Sequence, residues 1–136
     1  MKIIFRILYY SIGKRLPNSN FPLGKLFSNL RHFFAKGFLI SVGQNVILEN
    51  SIFFGDGRDI EVGENSQINE DCWIRNCKIG NDVMIAPYVM ILNYGHNIDN
   101  LMTPMINQGV KFYPQTIIED NVWIGARTII LPGIKI

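Results

Sequence analysis

Few side chains in this 136-residue sequence could do acid–base chemistry near neutral pH, and His96 stands first among them. An ordinary imidazole titrates in that range, so a histidine can take the proton of a hydroxyl as it attacks an electrophile. His96 follows Gly95 and precedes a stretch, 97–117, that breaks the pattern found on either side of it. Asp99, three residues on, either orients the ring or caps the loop; the spacing allows both. His32, the other histidine, falls in a segment of helical spacing and reads as a packing or surface residue. Cys72 and Cys77 are spaced C-x4-C, which matches no common zinc or redox motif. They read as reduced packing thiols, which suits a cytoplasmic protein, and they call for no metal.

The elements that must position His96 follow a period of six. An aliphatic residue leads each unit, a glycine, acid or amide often comes second, and a small or β-branched residue fifth. Such units begin at Val42 and Leu48, at Val62 and Ile68, at Ile79, Ile85 and Ile91, and at Ile118, Ile124 and Ile130. An insertion lies around Gly55-Asp56-Gly57, and a unit one residue short begins at Ile74. Each hexapeptide makes a short strand and a turn, three of them close a triangular rung, and the leading aliphatics stack from rung to rung. The expected fold is all-β, a left-handed parallel β-helix over residues 40–136. Ile91 to His96 counts as one unit, which puts His96 at a corner. Ile136 opens a unit that stops at its first residue, so the coil reads as truncated at its C-terminus. A zinc hydratase of this architecture would gather three histidines, and the chain has two.

Residues 1–39 have helical spacing instead and are expected to cap the open end of the coil. Leu23, Leu26, Phe27, Leu30, Phe33 and Phe34 recur at three and four residues, with Lys25, Arg31 and Lys36 mostly off that face. Pro17 to Pro22 separates this helix from an earlier one, and Gly37 is expected to stop it. Met1 to Gly13 loosely imitates a signal peptide, but Arg6 interrupts the apolar run and no small-x-small cleavage site follows. Nothing approaches the ~20 apolar residues needed to span a bilayer. Residues 1–15 are therefore expected to pack on the domain or rest on a membrane surface. Thirteen basic against eleven acidic residues are too balanced to argue for nucleic acid.

A loop as long as 97–117 inside a compact domain is usually functional. Pro104, Gly109 and Pro114 shape it, and Met102, Met105, Val110 and Phe112 are expected to anchor it on the coil. The groove between coil and loop is then the place for chemistry.

Four segments together resemble the hexapeptide-repeat O-acetyltransferases: IGNDVMIAP (79–87), YGHNID (94–99), TPMINQG (103–109) and NVWIGARTIILPGI (121–134). The likeness covers roughly residues 40–136. It is nearest in flavour to the branch that acetylates bacterial surface polysaccharides such as colanic acid, capsule and O-antigen, and more distantly to the galactoside and maltose acetyltransferases. The resemblance implies acetyl-CoA as donor, a sugar or glycan hydroxyl as acceptor, and neither a covalent intermediate nor a metal. It places His96 as the catalytic base and Asn69 near the acceptor and the developing oxyanion. It also places Trp123 in the active-site groove, and Ala86, Gly125 and Ala126 beside the arm of acetyl-CoA. All of these but His96 also read as plain corner or packing residues. A homotrimer follows mostly from the same likeness, helped by apolar residues such as Phe53, Phe54, Trp73, Tyr88 and Met90 that exceed what one narrow coil can hide. A cytoplasmic enzyme at the inner face of the membrane is one implication; a degenerate β-helix scaffold without activity is the alternative.

Overall fold

The computed structural model, which describes residues 1–136, turns the six-residue period into a parallel β-coil with three faces. In the first rung β1 (Ser41–Val42) and β2 (Ile47–Leu48) are followed by Phe53, which bridges to Trp73 in the rung above. The second rung holds β3 (Ile60–Val62), β4 (Gln67–Ile68) and β5 (Trp73–Ile74), and the third β6 (Cys77–Ile79), β7 (Met84–Ile85) and β8 (Met90–Ile91). The chain then leaves as a hairpin of β9 (Tyr94–His96) and β10 (Val110–Phe112). It returns as a fourth rung of β11 (Thr116–Ile118), β12 (Trp123–Ile124) and β13 (Ile129–Ile130). The faces stack in the orders β1-β3-β6-β11, β2-β4-β7-β12 and β5-β8-β13.

The leading aliphatics make the core. On the second face Leu48, Ile68, Ile85 and Ile124 pair in register and all are buried. Strand alternation sends the residue before each of them outward, so Ile47, Gln67, Met84 and Trp123 form an exterior column in the same register. Ser66 is a polar exception among the buried fifth positions. Its hydroxyl donates to the Gly80 carbonyl at 2.9 Å and accepts from the Val83 N–H at 3.0 Å, so its burial leaves nothing unpaired. Cys72 and Cys77 are buried free thiols, as their inward positions predict. Burial pushes the Cys72 thiol up to about 11 and raises Cys77 further, which keeps both protonated.

Corners turn through left-handed backbone. One uses Asn45, Asn65, Asp82 and Asn121; the next uses Ser51, Asp71, Tyr88 and Arg127. Asn and Asp tolerate that conformation, and here they also form a ladder, Asn45 Nδ2 donating to Asn65 Oδ1 at 3.0 Å and Asn65 Nδ2 to Asp82 Oδ1 at 3.2 Å. Tyr88 and Arg127 have no such tolerance, and the Arg127 guanidinium lies 5.7 Å over the Tyr88 ring.

Residues before the coil form α1 (Lys2–Ser11), a 3-10 turn (Gly13–Arg15) and α2 (Gly24–Phe38), packed on the first rung. Tyr9, Phe34, Ala35, Phe38 and Leu39 belong to the same core as the coil. The Tyr9 hydroxyl donates to the Ile52 carbonyl at 3.1 Å, and the Tyr10 hydroxyl donates to the Gly55 carbonyl at 2.9 Å. The buried face of α2 differs from its apolar spacing. Leu23, Leu26 and Phe33 are exposed, whereas Gly24, Ser28, Arg31, Phe34, Ala35 and Phe38 are buried. Arg31 turns inward because it finds a carboxylate and three carbonyls there, with Nη2 donating to Glu49 Oε2 at 3.2 Å. Phe54, expected at the surface, is buried against Tyr9 and Phe38. Gly37 lies inside α2 and does not stop it; a Cβ there would come within 2.1 Å of the Phe5 ring, so the glycine serves helix–helix contact.

The near-neutral total conceals a polarised molecule. Residues 1–40 hold seven of the thirteen basic side chains and no acidic one, while ten of the eleven acidic residues lie in the coil and Asp99 lies on the arm. On α1, Ile3, Ile4 and Ile7 share an outward stripe and are exposed. No helix is long and apolar enough to cross a membrane.

Candidate active site

His96 sits on the hairpin and not on a coil corner. The Ile91 unit runs only to Asn93; Tyr94–His96 then pairs antiparallel with Val110–Phe112, His96 opposite Val110. The excursion therefore spans 94–115 and not 97–117. Its return is fixed by β11 joining β6, with the Thr116 N–H donating to the Asn76 carbonyl at 2.9 Å and Asn76 Nδ2 donating to the Tyr113 carbonyl at 3.3 Å. The arm is braced from within. Gln108 Nε2 donates to the carbonyls of Asn100 (2.8 Å) and Thr103 (2.6 Å), and Asn97 Nδ2 donates to the Gln108 carbonyl at 3.0 Å. Those bonds satisfy the arm within itself, and Met102, Met105, Val110 and Phe112, expected to anchor it on the coil, are exposed instead.

The His96 ring is exposed, makes no hydrogen bond within the chain, and stands edge-on to the Tyr94 ring at 6.1 Å. Asp99 is exposed too and makes no hydrogen bond to it. Asn69, Ala86 and Gly125 line up as one column, each following a strand of the second face, with the Asn69 N–H donating to the Ile85 carbonyl and the Ala86 N–H to that of Ile124, both at 3.0 Å. Asn69 Nδ2 donates to the Ile85 carbonyl at 2.8 Å, and its Oδ1 accepts from Gln67 Nε2 at 3.2 Å. A Cβ on Gly125 would meet nothing within 4 Å, so packing does not require a glycine there. Ala126 is exposed beside it, and Trp123 projects from the second face at 73% exposure.

These residues occupy two different corners. The hairpin leaves between the third and first faces, whereas the Asn69–Ala86–Gly125 column marks the corner between the second and third. One chain does not bring His96 to that column. Two further features escaped the sequence. Glu49 heads the same column in the first rung, buried under the cap on Arg31 and Ser19. A cavity of about 260 Å³ opens at the base of the hairpin, lined by Trp73, Arg75, Met90, Leu92, Asn93 and Tyr94. A charged residue in the short unit at Ile74 was the one available signal for the second; nothing local announced the first.

The galactoside O-acetyltransferase of Escherichia coli K12 is 32% identical over 109 residues, which cover 78% of this chain and 52% of that protein. A crystal structure of a maltose O-acetyltransferase from Clostridium difficile 630 superposes with a TM-score of 0.76 at 29% identity, covering 98% of this chain and 67% of that one. A galactoside acetyltransferase in complex with coenzyme A superposes at 0.70 with 22% identity over 98% of this chain and 63% of its own, and bears on the fold alone. No family model matches the chain. The fold is the left-handed β-helix of hexapeptide repeats with an N-terminal helical segment. Within that class, the relatives and neighbours support the hexapeptide-repeat acetyltransferase family, represented by galactoside and maltose O-acetyltransferases. The chain spans about half the length of the relatives it matches in sequence.

Proposed function

We propose that this protein transfers an acetyl group from acetyl-CoA to a sugar hydroxyl, with His96 as general base, and that the acceptor is a surface polysaccharide or its precursor. The observation that carries the reading is His96 itself: an imidazole held out on a braced arm, with no partner inside the chain to occupy it. The sugar oxygen attacks the thioester carbonyl while His96 takes its proton; the carbon–sulfur bond then breaks and the imidazolium returns the proton to the departing thiolate. The tetrahedral oxyanion needs a donor, and Asn69 Nδ2 has a second hydrogen beyond the one given to Ile85. Ala86, Gly125 and Ala126 leave room for the donor's arm, and Trp123 provides a flat apolar wall.

Since these groups lie at separate corners of one chain, the reading includes a cyclic homotrimer in which the arm of one copy meets the coil of the next. Exposed Leu101, Met102, Ile106 and Phe112 on the arm, and Met84 and Trp123 on the coil, supply apolar surface for that contact. The reading also places the basic, acid-free cap against an anionic membrane on the side where acetyl-CoA is supplied, with Ile3, Ile4 and Ile7 entering the headgroup layer. An acetyl-transfer assay against a glycan panel tests the activity, and His96→Ala should lower turnover about 10²–10⁴-fold. Retention of a tenth of wild-type turnover would sink the role given to His96. Light scattering showing a monomer would sink the trimer, and equal pelleting with neutral and anionic vesicles at low salt would remove the membrane contact.

A further inference from the structure

We infer that the cavity at the base of the hairpin is an acceptor subsite in which Arg75 binds an anionic group, a carboxylate or a phosphate, on the sugar. The inference rests on the reading of His96 as the base. Arg75 is half-buried, its Nε is buried without a hydrogen-bond partner, and it joins no ion pair. A buried donor left unpaired is costly, and one on a cation more so. The side chain is nevertheless held in place. Its guanidinium carbon lies 5.9 Å over the Phe53 ring, and Phe53 in turn stacks on Trp73 at 4.0 Å. Gly55 lies against it so closely that a Cβ there would sit 2.7 Å from Arg75 Nε. Gly55 encloses Nε, so the donors left for a ligand are those of the two terminal nitrogens, which make no bond within the chain and whose paired N–H groups suit a two-oxygen anion.

The rest of the lining fits a sugar. Trp73 is 40% and Tyr94 45% exposed and both offer ring faces, Asn93 offers an amide for a hydroxyl, and Met90 and Leu92 complete the wall. About 260 Å³ falls below the ~300–1,000 Å³ of drug-sized sites and suits a small ring. The direction fits as well. Tyr94 lines the cavity, and His96, two residues along the same strand, lies on the same side of it with the ring centroids 6.1 Å apart. A sugar anchored by its charge on Arg75 thus presents a hydroxyl toward the imidazole.

Calorimetric titration of the full chain with three probes tests this: methyl β-glucuronide, glucose 1-phosphate and methyl β-glucoside. At least one charged probe should bind about tenfold tighter than the neutral glucoside, and the tighter of the two names the anion. Arg75→Gln should bring it to the neutral probe's affinity, with circular dichroism unchanged, and Arg75→Lys should keep part of the preference because the charge remains without the fork. Equal affinity of wild type for all three probes would overturn the inference, and that comparison needs no variant. So would a preference that survives in a folded Arg75→Gln. Acetyl transfer to the same probes separates the two readings. A charge preference in binding with no transfer to any sugar removes the acetyltransferase reading and leaves the anion site standing. Transfer to charged and neutral sugars alike removes the anion site and leaves the enzyme standing.

Discussion

Glu49→Ala should cost this protein more stability than any substitution at the candidate site. The Glu49 carboxylate and the Arg31 guanidinium are both almost fully buried, so their charges are solvated by the protein alone. Arg31 has four acceptors: the Leu48 carbonyl at 2.6 Å, those of Leu16 and Pro17 at 2.9 Å, and Glu49 at 3.2 Å. Glu49 also accepts from the Ser19 N–H at 2.9 Å and from the Ser19 hydroxyl. Burial pushes the Arg31 guanidinium below its ordinary value, and the Glu49 charge opposes that push. Removing the carboxylate leaves a buried cation with dipoles only, and strands the Ser19 N–H. Breaking a buried pair from one side costs about 3–5 kcal/mol. With a urea slope of about 2 kcal/mol per molar, the unfolding midpoint should fall by roughly 2 M at fixed protein concentration. Glu49→Gln keeps an acceptor for both Ser19 and Arg31 and should lose about half as much. A midpoint shift below about 0.5 M for Glu49→Ala would show that water reaches the pair and that the cap is not locked to the coil by it.

His96→Ala, at an exposed position without partners, should leave stability within about 0.5 kcal/mol of wild type, read from the same urea unfolding curves. Arg127→Asn should raise the melting temperature by about 3 °C, because Arg127 holds a left-handed φ of 61° that asparagine adopts at less cost. A lower melting temperature would mean that its stacking over Tyr88 outweighs the strain. Cys72 has a folded pKa of about 11 against an ordinary 9.0, so the neutral thiol stabilises the fold below pH 9 and that stability drains away between pH 9 and 11. Cys72→Val should flatten the fall in melting temperature across that window, leaving the part due to Cys77, Tyr9 and Tyr10; an unaltered slope would disprove the assignment. Gly37→Ala should destabilise the packing of α1 on α2, since its Cβ would enter the Phe5 ring, and a wild-type melt would contradict that contact.

The coil was readable because its information is local. Leading aliphatics from Val42 to Ile130 are buried as their spacing requires, since a six-residue period states directly which side chains face inward. Reading failed where a distant partner decides. The unit led by Ile91 matched the template at its first position, yet Tyr94–His96 pairs with residues 110–112, and that pairing overrode the period. Arg31 looked like a surface cation on helical spacing, but Glu49, eighteen residues on, draws it inside and turns Leu26 and Phe33 out. Within the site, the residues of interest were nameable from motifs. Their separation onto two corners was not, because it depends on which face the hairpin leaves.

The hairpin adds no height to the coil. Cys77–Ile79 pairs with Ile60–Val62 below and Thr116–Ile118 above, so the stack closes across the arm as if those residues were missing. Length therefore means different things in the two parts of the chain. One residue lost inside a strand such as Met84–Ile85 would turn that strand's aliphatic outward, as any slip of register does, whereas a corner absorbs the loss, as the five-residue unit from Ile74 to Ile79 shows. Doubling the arm costs about 0.6 kcal/mol of closure entropy. Mutation can thus lengthen, shorten or rewrite the arm, while the stack takes a change of length only at its corners. Divergence in sequence and length is free to accumulate between Asn93 and Thr116 at a pace the scaffold does not share.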